Sequence, residues 1–240
     1  MLFIVEAFKW TLLIHLAAAV LPAIFLLRYI YRHDRIEKEP AGLLLALFLL
    51  GIVSALCASV VEHILKGGLD RALPGKGLLY TVILAFVVVA MVEEGAKFLF
   101  LKRCTWYHPA FDCRFDAIVY AVFVSLGFAA YENILYVFQF GLSTAVLRAV
   151  TAIPAHMSFA VLCGVFYGRA KRCELYGQDS LAHWNLQMSY VIAVVFHGVY
   201  DACAMIGSEL SLAVFVVFVA VMFWLVFCLV KRESKMDQLM

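Results

Sequence analysis

Seven apolar runs, separated only by short polar segments, set the terms for what this chain can fold into. They lie at about 10–31, 41–65, 78–101, 116–140, 145–170, 188–206 and 210–230. At ~1.5 Å rise per residue, each is long enough as a helix to cross a hydrocarbon core of ~30 Å. No water reaches the backbone inside that core, so each run must close its own hydrogen bonds as an α-helix. Composition agrees: 65% of the 240 residues are hydrophobic and 15% are charged, whereas a soluble domain is about half apolar and a quarter charged. The predicted fold is all-α, a polytopic membrane protein built as a bundle of about seven transmembrane helices. The net charge of +2 is small and the basic residues fall in short clusters. No basic face or arm marks a nucleic-acid partner.

The separators give the topology. One set of loops holds thirteen basic residues, among them Arg28, Arg32, Arg35, Lys102, Arg103, Arg169, Lys171 and Arg172. The opposite set holds five: Lys9, Lys66, Arg71, Lys76 and Arg148. The positive-inside bias puts the N-terminus outside and the C-terminus in the cytoplasm. The opening MLFIVEAF is apolar and acidic rather than basic, so it does not read as a removable leader, and the run from Trp10 to Ile30 stays as the first helix. No repeat, low-complexity stretch or extramembrane domain interrupts the chain, which reads as one transmembrane domain over residues 1–240. None of the seven cysteines lies in a segment placed on the outer side of the membrane, so a disulfide framework is not expected. Cys104, His108, Cys113 and Cys173 can be combined into a zinc site, but their spacing matches no compact motif.

Ionisable residues inside spans are the informative ones, because a charge at mid-bilayer costs ~2.5–3.5 kcal/mol on insertion scales. The third run carries Glu93, Glu94 and Lys97, the fourth Glu132 and Asn133, the fifth His156, and the sixth His197 and Asp201. Four successive helices each contribute, which points to one shared polar site. Glu93 and Lys97 are four apart and share a face as an ion pair. Glu94 is turned about 100° away, free to point into the site. Asp201, four residues after His197, can orient the imidazole or join it as a ligand. Gly164, Gly168 and Gly198 allow close helix approach, and Pro154 suggests a kink just before His156. Counted from the cytoplasmic ends of the runs, Glu94 lies about 10 Å deep, His197 about 14 Å, His156 about 21 Å and Glu132 about 24 Å.

Two histidines and a carboxylate suit zinc, with a position left for water. Such a metal lowers the water's pKa, and a second glutamate takes its proton and later hands it to the leaving amine. Without metal, a glutamate polarised by nearby histidines activates water. The candidate ligands are His156, His197, Glu94 and Asp201, and the candidate cofactor is Zn2+. No Gly-x-Ser-x-Gly elbow or phosphate-binding loop supports a serine hydrolase or a nucleotide enzyme.

Glu93-Glu94-Gly-Ala-Lys97, Gly127-Phe128 leading to Tyr131-Glu132-Asn133, a lone His156, and His197-Gly-Val-Tyr-Asp201 follow one another on separate helices. This ordered set, over roughly residues 40–205, resembles the motifs of the PrsW family of intramembrane proteases, itself similar to the group of CAAX prenyl endopeptidases and bacteriocin-processing proteins. The resemblance implies proteolysis in or beside the bilayer of the bacterial cytoplasmic membrane. The substrate it implies is a membrane protein or lipidated peptide, typically a single-span regulator such as an anti-sigma factor. It maps catalytic roles onto Glu93, Glu94, Glu132, His156 and His197. Asp201 stands where the wider group often has asparagine.

Other readings remain at this stage. Glu93–Lys97 can be a structural ion pair, and His156 or Glu132 with Asn133 a packing polar contact. His15 and the Glu62–His63 pair lie near helix ends and read as interfacial. The same buried cluster would also serve an ion- or proton-coupled transporter, although no internal repeat or pair of broken helices is visible. A bis-histidine haem site from His156 and His197 would show as colour. A rhodopsin-like layout lacks a lysine in its last span.

Overall fold

The computed structural model describes residues 2–240, apart from the side chains of residues 2–5, 7 and 8. The reading of MLFIVEAF as a retained segment rests on side chains that lie outside the described residues. Among the described residues, nine α-helices follow in order: α1 Leu2–His33, α2 Ala41–Ala72, α3 Leu78–Ile83, α4 Met91–Thr105, α5 Asp116–Phe140, α6 Leu142–Val150, α7 Ala152–Leu175, α8 Asp179–Ile206 and α9 Glu209–Lys235. A π-helical segment, Leu84–Ala90, joins α3 to α4 as one continuous rod. Among the described residues, seven helical stretches are long and apolar enough to cross a membrane, with α3–α4 and α6–α7 each counting as one. The expected seven-helix membrane bundle is therefore what forms.

α5 sits at the centre, buried over most of its length together with α7, while α1 and α9 leave most of their surface open on the outside. Such exposure suits lipid contact, since an apolar side chain facing hydrocarbon carries no penalty. Close backbone approach holds α5 in place. A Cβ added at Gly127 would lie 2.0 Å from the Phe48 carbonyl oxygen of α2, and one at Gly164 of α7 would lie 2.6 Å from Ile118 Cα. At both positions glycine is the residue that lets two helices touch. The large buried side chains Tyr120, Phe159 and Tyr167 fill the space around these crossings.

Three local expectations change. α2 runs on to Ala72 and α8 begins at Asp179, so much of KGGLDRALPGKG and the segment before Gln187 is helix rather than loop. Helix propagation past the apolar run needs only local partners, and Lys66 and Asp70 provide an i,i+4 pair at 3.1 Å. Pro154 does not kink a helix interior. The break falls at Thr151, where φ is −119° and ψ −77°, so Pro154 sits in the first turn of α7, where no intrahelical N–H is lost. The π-helical turn before α4 is absent from the sequence reading. It adds a residue to the turn and brings Phe86 against Gly198 of α8, where a Cβ would lie 2.3 Å from the ring.

Candidate active site

Five helices place the site residues. Glu93, Glu94 and Lys97 come from the first two turns of α4. Glu132 comes from α5, Arg148 from α6, His156 from α7, and His197 and Asp201 from α8. Glu93, Glu94, Lys97, His156 and His197 are all buried.

Lys97 is the hub. Its ammonium donates to Glu94 Oε1 at 2.7 Å and Glu93 Oε2 at 3.1 Å, and lies 3.2 Å from His156 Nδ1. It also sits 3.9 Å from the centre of the Phe128 ring. Glu94 is therefore not left free by its 100° turn. Lysine's long side chain reaches residues three and four before it alike, and both carboxylates close on one charge. Because an ammonium only donates, Nδ1 of His156 accepts. Its other nitrogen then donates to Glu132 Oε2, 3.0 Å away. Glu132 Oε2 also accepts from Arg148 at 3.1 Å, and Arg148 Nε donates to Asn133 at 3.0 Å. Asn133 turns away from the site and donates to the Ala19 carbonyl of α1 at 2.7 Å.

His197 lies between carboxylates. Nδ1 is 2.9 Å from Glu94 Oε1, while Nε2 is 3.3 Å from Asp201 Oδ2 and 3.9 Å from Glu93 Oε2. Its ring stacks on Phe159 at 4.8 Å and meets that of His156 edge-on at 5.4 Å. The five residues given catalytic roles in the sequence thus meet in one place, together with Asp201.

Beside them lies a cavity of about 150 Å³, reached by Glu93, Glu132, His156, His197 and Asp201. At ~30 Å³ per molecule it has room for roughly five waters. Glu93 borders this cavity and Glu94 does not. Two residues that sequence reasoning set aside border it too. Glu62 was read as interfacial, yet its side chain points inward and its Oε1 is buried with no hydrogen-bond partner. Arg148 was counted among loop charges. The signal that would have found it is position: it lies within the fifth hydrophobic run itself.

Glu93, Glu94 and His156 each offer a ligand atom within 4.8 Å of the other two. Their donor types suit a divalent metal, and all three already converge on one positive charge. Five acids surround the cavity and hub (Glu62, Glu93, Glu94, Glu132 and Asp201) against two fixed cations, Lys97 and Arg148. That balance leaves room for a further cation. The ligand set expected from sequence divides here: Glu94 and His156 join Glu93 around Lys97, and His197 with Asp201 forms an adjoining pair. Cys104, His108, Cys113 and Cys173 form no compact group among the described residues; Cys113 instead joins Asp112 and Asp116.

A membrane bundle that encloses a cavity lined by acids and imidazoles, beside three donors that could hold a metal ion, has the parts an intramembrane hydrolytic enzyme needs. The profile of the PrsW family intramembrane metalloprotease matches residues 39–229, and the chain belongs to that family. It is 31% identical to a protease PrsW of Halalkalibacterium halodurans over 93% of this chain and 98% of that one. A protease PrsW of Geobacillus kaustophilus is 33% identical over 78% and 77%, and one of Bacillus subtilis 31% over 78% and 80%. No solved structure matches. The chain is thus a multi-pass protein of the bacterial membrane and a membrane-embedded endopeptidase that acts on membrane-protein substrates. Transport is not favoured.

Proposed function

We propose that this chain cleaves a peptide bond of a single-span regulatory membrane protein, of the anti-sigma-factor kind, at the cavity between α4, α5, α7 and α8. The observation that carries this reading is the cavity, roomy enough for several waters, bordered by Glu93, Glu132, His156, His197 and Asp201. Glu93, Glu94 and His156 are the residues that would hold a zinc ion, with Lys97 giving up its place. Zinc there would lower the pKa of a bound water and polarise the scissile carbonyl.

The chain's own residues do the rest. Glu132, aligned by Arg148 and by His156 Nε2–H, takes the water's proton and returns it to the leaving amine. Arg148 and His197 border the cavity as donors for the oxyanion that develops at the carbonyl. A specific observation favours a second reading. The Lys97 ammonium already stands where three acceptors converge, and Glu93 meets both that charge and the cavity. Glu93 then takes the proton directly.

Charge bias adds a direction. Glu132 lies eight residues from the end of α5 at Phe140, about 12 Å in, and sixteen from its other end. With the N-terminus outside, the cut falls in the extracytoplasmic half of the substrate's span. The test is turnover of fluorescently tagged single-span peptides in proteoliposomes, with products sized by mass spectrometry. Glu132→Gln and Glu93→Gln are each expected to lower turnover by about 10²–10⁴-fold. Inactivation by chelator, reversed by zinc, selects the first reading; insensitivity to chelator selects the second. Full turnover in the double variant sinks both.

A further inference from the structure

Far from the cavity, five carboxylates gather where α1 ends and α5 begins. Asp34 and Glu39 lie in the α1–α2 loop, Asp112 precedes α5, Asp116 opens it, and Asp237 follows α9. Glu132 is sixteen residues further along α5, about 24 Å away along the axis.

Burial here is nearly complete: Asp34, Glu39 and Asp116 are 2%, 3% and 0% exposed. The hydrogen bonds that exist use one oxygen each of Asp116, Glu39 and Asp237. Asp116 Oδ2 accepts from the N–H of Cys113 at 2.6 Å and of Asp112 at 3.2 Å. The Tyr120 hydroxyl donates to Glu39 Oε2, and Asp237 Oδ1 accepts from the Phe115 N–H at 2.9 Å. The remaining oxygens are buried without a partner: both of Asp34, Glu39 Oε1, Asp112 Oδ1, Asp116 Oδ1 and Asp237 Oδ2. The Glu39 backbone N–H lies near enough to Asp34 to favour its charge, but closes no hydrogen bond.

These carboxylates act on one another. Glu39 interacts directly with Asp116 and feels Asp34 and Asp112, and Asp34 feels Asp237. Nearby cations do not settle the account. Lys38 donates to the carbonyls of Tyr31 and Asp34 and its charge offsets part of the cost at Asp34, and Arg114 pairs with Glu233 while favouring the Asp237 carboxylate.

We propose that Asp34, Glu39, Asp112 and Asp116 form a second cation site, for a hard divalent ion such as Mg2+, Ca2+ or Mn2+, that fastens the α1–α2 loop to the head of α5. Buried carboxylates without compensation are costly, and a shared cation held by Asp112 and Asp116, with Asp34 and Glu39 turning to it, is a remedy that uses several orphaned oxygens at once. The donors are oxygens, with no histidine among them, which selects hard ions over zinc. Asp112 and Asp116 offer ligand atoms within 4.8 Å of each other and of Cys113, but burial and the neighbouring Asp116 push the Cys113 thiol well above the ordinary range, so it offers no thiolate. Burial likewise pushes Asp34 up to about 6 and Glu39 up to about 7, the response of carboxylates short of positive charge.

This proposal does not depend on the proteolytic reading, and its test keeps the two metal sites apart. Full-length protein in detergent, stripped with chelator, is dialysed against Mg2+, Ca2+ or Mn2+, with bound metal counted and Tm recorded. Glu94→Gln/His156→Ala is expected to keep one hard ion per chain, with Tm raised by roughly 5 °C near saturation. Asp34→Asn/Asp116→Asn is expected to lose both the ion and the rise. Retention of the ion by this second variant, or no hard ion in the first, overturns the proposal. Should the aspartate variant not fold, the Tm of stripped wild-type protein decides: indifference to all three ions overturns it.

Discussion

The two ends of α5 solve the same electrostatic problem differently. Around Glu132, nearly every buried acid has a cation or imidazole against it: Glu93 and Glu94 have Lys97, Glu132 has Arg148 and His156, and Asp201 has His197. Around Asp116, the buried acids have mainly backbone N–H groups, a tyrosine and one another. The difference follows from what holds the acids. In the first cluster they sit on helices, where the i,i+3 and i,i+4 spacings bring a lysine onto two glutamates of the same face. In the second they come largely from loops and a tail, where fold closure alone brings like charges together. In one cluster most acids have a cation or imidazole directly beside them, and in the other the acids are left mainly to one another.

The largest expected effect tests that compensation. Lys97→Met leaves Glu93 and Glu94 buried beside each other without their shared charge. Stranding a buried partner costs about 3–5 kcal/mol, so thermal or denaturant unfolding in detergent should show a loss of that size. A loss under 1 kcal/mol would mean that the glutamates have another source of neutralisation, and the comparison between the clusters would break.

Next in size is Gly127→Val, which lies on α5 between the two clusters. The new Cβ would meet the Phe48 carbonyl oxygen at 2.0 Å, and backbone atoms cannot turn aside. Overpacking of this kind costs about 1–3 kcal/mol. Since α5 carries Glu132 at one end and Asp116 at the other, displacement from α2 should lower turnover and weaken the cation response together. Loss of turnover with an unchanged cation response would show that the clusters move independently.

A smaller effect of opposite sign is expected at the second cluster. In chelator, Asp34→Asn removes one of several facing charges, and Tm should rise by the equivalent of about 1 kcal/mol. With saturating divalent ion the order should reverse, because the variant has lost a ligand. Destabilisation in chelator would show that Asp34 is already compensated.

Much of the first cluster was legible in the sequence because a charge inside an apolar run stands out against its background. Glu93, Glu94, Glu132, His156, His197 and Asp201 all announce themselves in this way, and the helices bring them together. Their depths were less legible. Counted from the apolar runs, Glu132, His156 and His197 scatter over about 10 Å; counted from the observed helix ends at Asp116, Leu175 and Asp179, they fall within about 5 Å of one another. Helices outrun their apolar segments, so hydropathy misplaces their ends. Arg148 and Glu62 were passed over as loop and interfacial charges, because sequence does not show which way a side chain near a span end turns. The Asp116 cluster was invisible for the converse reason. Acids in the RHDRIEKEP loop and in a polar tail look like ordinary solvated residues until the fold buries them.

The smallest expected effect isolates burial from geometry. Lys66–Asp70 and Lys97–Glu93 are both i,i+4 pairs with the nitrogen 3.1 Å from a carboxylate oxygen. The side chains of the first pair are 50% and 34% exposed, and those of the second 5% each. In water a charge that loses its partner is resolvated, and an exposed pair has little to lose. Lys66→Ala should therefore leave Tm unchanged within error, where Lys97→Met lowers it steeply. Equal losses from the two substitutions would mean that spacing and distance set the strength of these pairs. Unequal losses would place it in the surroundings, where one cluster keeps its acids away from solvent and the end of α2 does not.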